Sequence, residues 1–148
     1  MHNRFFSLLF ILILMFVGCK GDDSNCCPNP LPVGCDKNTI IDEEVYQQIS
    51  TDNYGIDNVV LNGHCLEIKI GASGCDVNNW EMNLIASEIV VETLPTQRNA
   101  KIELINDEDC LAYFEKTVSF DLKPLQVSGS NQIQLTIEGW NTPILYQY

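Results

Sequence analysis

The side chains best suited to chemistry here are seven cysteines, Cys19, Cys26, Cys27, Cys35, Cys65, Cys75 and Cys110, and two histidines, His2 and His64. A thiolate metal centre needs Cys and His at short repeated spacings. No C-x-x-C occurs, and His64 and Cys65 are adjacent, so on a strand they leave on opposite faces. No metal and no cofactor is expected. Serine nucleophile chemistry would have to use His64, but no serine sits in a Gly-x-Ser-x-Gly elbow. Gly71-Ala72-Ser73-Gly74 and Ser128-Gly129-Ser130 read as turns. The carboxylates of Asn106-Asp107-Glu108-Asp109 could serve glycoside hydrolysis or bind calcium. They lack the spaced ligands of an EF-hand and read as a solvated hairpin turn. A ligand-binding set remains. Trp140 follows Gly139 in a turn, and Tyr146 and Tyr148 share one face of the last strand, where they could stack on a glycan or simply fill the end of a core.

The position of Cys19 depends on what precedes it. His2 and Arg4 lead into an apolar run from Phe5 to Val17, which stops at Gly18-Cys19. As a helix, thirteen residues reach ~20 Å, short of the ~30 Å hydrocarbon core of a bilayer. The run therefore reads as a secretory signal rather than a membrane span. A small residue followed by cysteine at its end resembles the lipobox of bacterial lipoproteins, with Phe16 standing where leucine is usual. That resemblance implies that Cys19 is lipidated and becomes the first residue of the mature chain. The acidic pair in Lys20-Gly21-Asp22-Asp23 resembles the surface-export tag of Bacteroidetes-type lipoproteins. Together these imply an outer-membrane protein, lipid-anchored and displayed on the cell surface.

The expected organisation is a signal over 1–18, a lipidated cysteine and proline-rich tether over 19–34, and one domain over 35–148. Pro28, Pro30 and Pro32 favour an extended tether. The chain carries 20 acidic and 8 basic residues; removing Arg4 with the signal leaves 7 against 20, or −13. So acidic a protein repels nucleic acid and anionic headgroups, which excludes nucleic-acid partners and docking by a basic patch. With Cys19 lipidated, the other six cysteines of an exported protein read as up to three disulfides, in any of fifteen pairings.

Asp42 to Ser50 reads as the one short helix, with Asp42 as its cap and Glu43 and Glu44 in the first turn. From Ile56 onward the apolar period is two, as in Leu66, Ile68 and Ile70, in Trp80, Met82 and Leu84, in Ile102 and Leu104, in Val118, Phe120 and Leu122, and in Ile133, Leu135 and Ile137. Further strands fit 58–61, 89–93 and 144–148. Asn62-Gly63, Gly71 to Gly74, Leu94-Pro95-Thr96 and Asn106 to Asp109 separate them as turns. The fold expected is all-β, an antiparallel β-sandwich of seven to eight strands, Ig-like or Greek-key, with one short N-terminal helix.

Gly74-Cys75, the aromatic strand at Trp80, Leu94-Pro95, Cys110 and Phe120-Asp121-Leu122 resemble β-sandwich lipoproteins of unknown function found in Bacteroidetes. The resemblance implies a Cys75–Cys110 bridge and carries no catalytic residues. Cys35 with Cys65, and Cys26 with Cys27, would complete the pairing. The function expected is a non-enzymatic binding or accessory module, held to the membrane by its lipid, with a glycan or protein partner. An exported hydrolase or a purely structural envelope component are the alternatives.

Overall fold

Alternating apolar and polar side chains form half-buried strands because successive Cβ atoms point to opposite faces. In the computed structural model, which describes residues 34–148, that alternation builds two sheets around one core. The expected signal, the expected lipidation at Cys19, the expected tether up to Val33 and the expected Cys26–Cys27 pairing lie outside the described residues. The elements in order are β1 (Lys37–Asn38), β2 (Ile40–Ile41), α1 (Glu43–Gln48), β3 (Gly55–Asn62), β4 (Cys65–Gly74), β5 (Glu81–Val91), β6 (Thr96–Ile105), β7 (Ala112–Asp121), β8 (Gln132–Ile137) and β9 (Ile144–Gln147). Sheet A has the order β1-β7-β4-β3 and sheet B the order β2-β5-β6-β8-β9. Leu66, Ile68, Ile70 and Phe120 from sheet A meet Met82, Leu84, Ile102, Ile133, Leu135 and Tyr146 from sheet B in one buried cluster. Each such large side chain contributes about 1.5–3 kcal/mol by leaving water.

The fold is mostly β, as expected, but the sheets are mixed rather than purely antiparallel. β1 runs parallel to β7, β2 to β5, and β6 to β8. Hydrophobic period identifies a strand and its buried face but carries no record of its direction. β1 and β2, at two residues each, are too short to show a period at all. They form one continuous edge: Lys37 and Asn38 pair with Phe120 and Asp121 in sheet A, and Ile40 and Ile41 pair with Ile85 and Ala86 in sheet B. Between them Thr39 donates its N–H to the Asp121 carbonyl at 3.2 Å, so the chain steps from one sheet to the other there.

One expected turn is strand, and another is a crossing between the sheets. β4 runs unbroken to Gly74, paired with β7 from Cys65↔Asp121 to Gly74↔Ala112. Its glycines serve close approach rather than turning. A Cβ at Gly71 would overlap the Tyr113 phenol, and one at Gly74 would lie 2.7 Å from the Trp80 ring. The stretch 106–109 is not a hairpin turn, since β6 belongs to sheet B and β7 to sheet A. It carries the chain across the end of the sandwich. The strands expected at Trp80 and over 89–93 are one strand, β5, whose register slips between Ala86 and Val90, opposite Ala100 and Arg98. Three residues, Ser87, Glu88 and Ile89, bulge there against one.

The helix forms where expected. The Asp42 carboxylate accepts the Val45 N–H at 2.9 Å, and six residues follow. Six residues make a marginal helix alone, so its packing on β5 holds it. Glu43 Oε2 accepts both the Ser87 hydroxyl at 2.5 Å and the Glu88 N–H at 3.0 Å, pinning the helix into the bulge.

Candidate functional site

Four of the seven cysteines are described, and they form two bridges: Cys35–Cys65 with Cα atoms 5.4 Å apart, and Cys75–Cys110 at 5.1 Å. The first ties the chain ahead of β1 to the start of β4. The second ties the β4–β5 loop to the 106–111 crossing. Beside it, the acidic stretch lies at the surface, with Asp107 and Asp109 exposed, but Glu108 is tied down. It accepts four hydrogen bonds. Its Oε2 takes the Cys75 N–H at 2.6 Å, the Asp76 N–H at 3.0 Å and the Trp80 indole N–H at 3.1 Å, and its Oε1 takes the Asn79 amide at 2.9 Å. The Asn79 side chain and the two backbone donors hold its carboxyl down at about 2. With four donors converging on it, Glu108 acts as a clamp between the two segments.

The expected aromatic set does not assemble. Tyr146 is fully buried. Its hydroxyl accepts the Gln126 amide at 3.0 Å and lies 2.6 Å from His64 Nδ1. Tyr148 packs on Tyr146 with ring centroids 5.1 Å apart, and its hydroxyl accepts the Val127 N–H at 2.9 Å. Trp140 follows Ile137 at the opposite end of β8 from the Ile133–Tyr146 pair, half-buried against the core. The three cannot present one stacking platform. Their period-two placement signalled a shared face, and that face turns inward because β9 closes the core of sheet B.

The feature that stands out is electrostatic. Taking Asp22 and Asp23 from the 20 acidic residues, and Arg4 and Lys20 from the 8 basic ones, leaves residues 34–148 with 18 against 6, a balance of −12. All six cations are engaged. Lys37, Lys69, Lys101 and Lys123 pair with Glu81, Glu115, Glu138 and Asp121. Lys116 donates to the Val77 and Trp80 carbonyls. Arg98, buried, donates to the Ser87 carbonyl freed by the bulge.

Yet half of one face is nearly free of charge, with Glu88 in the β5 bulge at its border. The outer side of sheet B divides in two. Helix α1 covers the half around Ile85, where Lys101 sits 4.8 Å over the Tyr46 ring. The other half is open and presents Ile89 and Val91 from β5, Gln97 and Asn99 from β6, Gln132, Gln134 and Thr136 from β8, and Leu145 and Gln147 from β9. Ile89 is 61% exposed, Leu145 48% and Val91 41%. Register aligns Val91 with Gln97, Gln97 with Gln134, and Gln134 with Leu145, giving a row across four strands. The outward positions of sheet A hold Glu67, Lys69 and Glu115 instead. Sequence reasoning missed this face, although its signal was present: every outward polar residue of β8 and β9 is an amide or a hydroxyl.

No protein-family model matches the chain, and no curated protein matches it. Solved structures do share its fold. A protein of unknown function from Bacteroides vulgatus superposes with a TM-score of 0.52 at 15% identity, over 76% of this chain and 56% of that one. A NigD-like immunity protein from Bacteroides caccae gives 0.53 at 11% identity, over 74% and 57%. A protein from Parabacteroides distasonis described as toxin-related gives 0.50 at 16%, over 76% and 60%. At these identities the likeness is one of fold. The chain spans less than two thirds of the length of each neighbour.

Proposed function

We propose that this protein is a lipid-anchored module of the outer membrane, displayed on the cell surface, that works by binding a protein partner rather than by catalysis. The observation that carries this reading is the open, uncharged outer half of sheet B on an otherwise anionic body. An apolar and amide surface of that kind loses less on desolvation than a charged one when its amides find hydrogen-bond partners across the contact. The lipobox at Gly18-Cys19 supports the anchor, and the two disulfides suit an oxidising compartment. A cleft of about 480 Å³ between the end of α1 and the end of β6 holds Glu103 as its one charged side chain, which favours binding over acid–base chemistry. The buried Tyr146 argues for a protein rather than a glycan partner. One fold neighbour's description as an immunity-like protein is in keeping with a binding role.

The test is shielding of the face on living cells. Gln134→Cys and, on the outer side of sheet A, Thr117→Cys are labelled with a membrane-impermeant maleimide, on intact cells and on dilute purified protein. Thr117→Cys should label equally in both settings. Gln134→Cys should label at least several-fold more slowly on cells. Equal labelling of both positions in both settings would sink the proposal.

A further inference from the structure

We infer that the occupant of the uncharged face is a second copy of this chain, packed face to face about a two-fold axis; this rests on the binding reading above and names its partner. Three observations point to it. The first is charge. Each copy carries −12 over its described residues, so two copies approach at least cost where the fewest carboxylates face each other. The open half of sheet B is such a place. A cationic partner would instead gain most on the acidic surfaces elsewhere.

The second is the chemistry of the face. Its polar side chains are mainly primary amides, and an amide is both donor and acceptor. A face of amides can therefore hydrogen-bond to its own copy, as Gln147 Nε2 already does to Gln132 Oε1 at 3.3 Å within one chain. Carboxylates could not do so.

The third is symmetry. The row Val91, Gln97, Gln134, Leu145 is apolar at both ends and amide in the middle. A two-fold axis running along the strands, between β6 and β8, lays Val91 of one copy over Leu145 of the other and Gln97 over Gln134. That is a self-complementary contact of the isologous kind, with the strands of the two sheets roughly aligned, as stacked sheets prefer. Nine side chains make a smaller patch than the ~800 Å² per partner of a standard interface. The contact is accordingly weak in dilute solution, and shared anchoring at one membrane raises the effective concentration that closes it. Glu88 in the β5 bulge beside Ile89, Glu92 just past β5 and Glu138 just past β8 are exposed, so bringing two copies together sets like charges at the rim of the face. Added salt screens that repulsion and strengthens the dimer.

The decisive experiment is cross-linking of the full lipidated protein on intact cells with a short membrane-impermeant bis-maleimide, because two stacked sheets lie ~10 Å apart, beyond the ~7 Å Cα separation that a direct disulfide tolerates. Each variant carries one added thiol, so Val91→Cys and Leu145→Cys can be joined only between copies. Co-expressed Val91→Cys and Leu145→Cys copies should give a covalent dimer when the cross-linker is added. Neither variant alone should do so, nor should Val91→Cys with Thr117→Cys. The yield should rise with salt and fall at least tenfold when Gln134→Glu is added to both copies. Absence of the dimer, with both thiols open to maleimide, overturns self-association. Gln134→Cys labelling then separates the causes: a shielded face leaves the binding reading standing with a different partner, and an open face ends both. Equal trapping by Val91→Cys alone overturns the two-fold arrangement.

Discussion

Glu108 shows how one carboxylate can organise a loop. Four donors from Cys75, Asp76, Asn79 and Trp80 converge on it, and the neighbouring Cys75–Cys110 bridge holds the same two segments together. Because hydrogen bonds to the charged form lower its folded-state value to about 2, from 4.5, Glu108 stabilises the fold at all pH values above its unfolded value. That contribution is lost as the pH falls from about 4.5 towards 2. Glu108→Gln keeps the size but turns an N–H₂ towards donors. It should lower the Tm by several degrees at pH 7, and the gap from the parent protein should close across that acid window. Parallel thermal melts from pH 7 to pH 2 measure this, and a gap independent of pH would show that the charge is not what holds the loop. The Asp36 and Glu43 carboxyls are also held below their ordinary values, chiefly by the Ser119 and Ser87 hydroxyls, so the parent's own acid limb sums several such groups. Comparing the pair of proteins isolates Glu108.

At the scale of elements, the short N-terminal strands do the most with the fewest residues. The segment Lys37–Ile41 adds an edge strand to both sheets and crosses between them at Thr39. Thr39 is 4% exposed, and its hydroxyl has no hydrogen-bond partner among the described residues. Thr39→Val keeps the β-branched shape and removes an unpaired polar group. It should therefore stabilise the domain by ~1 kcal/mol, raising the Tm by roughly 4 °C. A calorimetric scan decides it, and a loss of stability would mean that the hydroxyl is bonded in solution. The bulge in β5 is held from both sides, by Glu43 of α1 on the outside and by the Arg98 guanidinium on the Ser87 carbonyl within. The same bulge turns Ile89 outward at the border of the uncharged face. Elsewhere, β6 runs past β8 and leaves an open edge at Ile102 and Leu104. Tyr54 covers the Ile102 carbonyl at 2.9 Å and Asn53 the Leu104 carbonyl at 3.1 Å. Those side chains spare this stretch the exposed backbone that invites edge-to-edge pairing.

For the whole molecule, the proposed lipid anchor and the uncharged face bear on each other. A diacylated cysteine supplies the two lipid signals that stable membrane attachment takes. Cys19→Ser should therefore move the protein from the membrane to the soluble fraction of disrupted cells, with the fold unchanged. Fractionation and immunoblotting read this directly, and undiminished membrane association would refute lipid anchoring. If the dimer depends on confinement at the membrane, the same variant should also lose most of the Val91–Leu145 cross-link.

The chain by itself determined what depends on local order. Period-two runs such as Leu66-Glu67-Ile68-Lys69-Ile70 and Ile133-Gln134-Leu135-Thr136-Ile137 specified strands and their buried faces. Asp42 ahead of Glu43 and Glu44 specified the helix start, since capping is a contact three residues long. The acidic balance followed from counting. Only the tertiary structure decided what depends on residues far apart in sequence. Strand direction is one case, because alternation reads the same both ways and the parallel pairs β1–β7, β2–β5 and β6–β8 arise from how the chain crosses between sheets. The role of Glu108 is another: a carboxylate between two aspartates looks solvated until a loop some thirty residues earlier delivers four donors to it. The aromatic trio of Trp140, Tyr146 and Tyr148 dissolved for the same reason, once β9 turned Tyr146 into the core. The uncharged face is made of single outward residues from four strands, each unremarked in its own segment. They become one surface only when register places Val91, Gln97, Gln134 and Leu145 side by side.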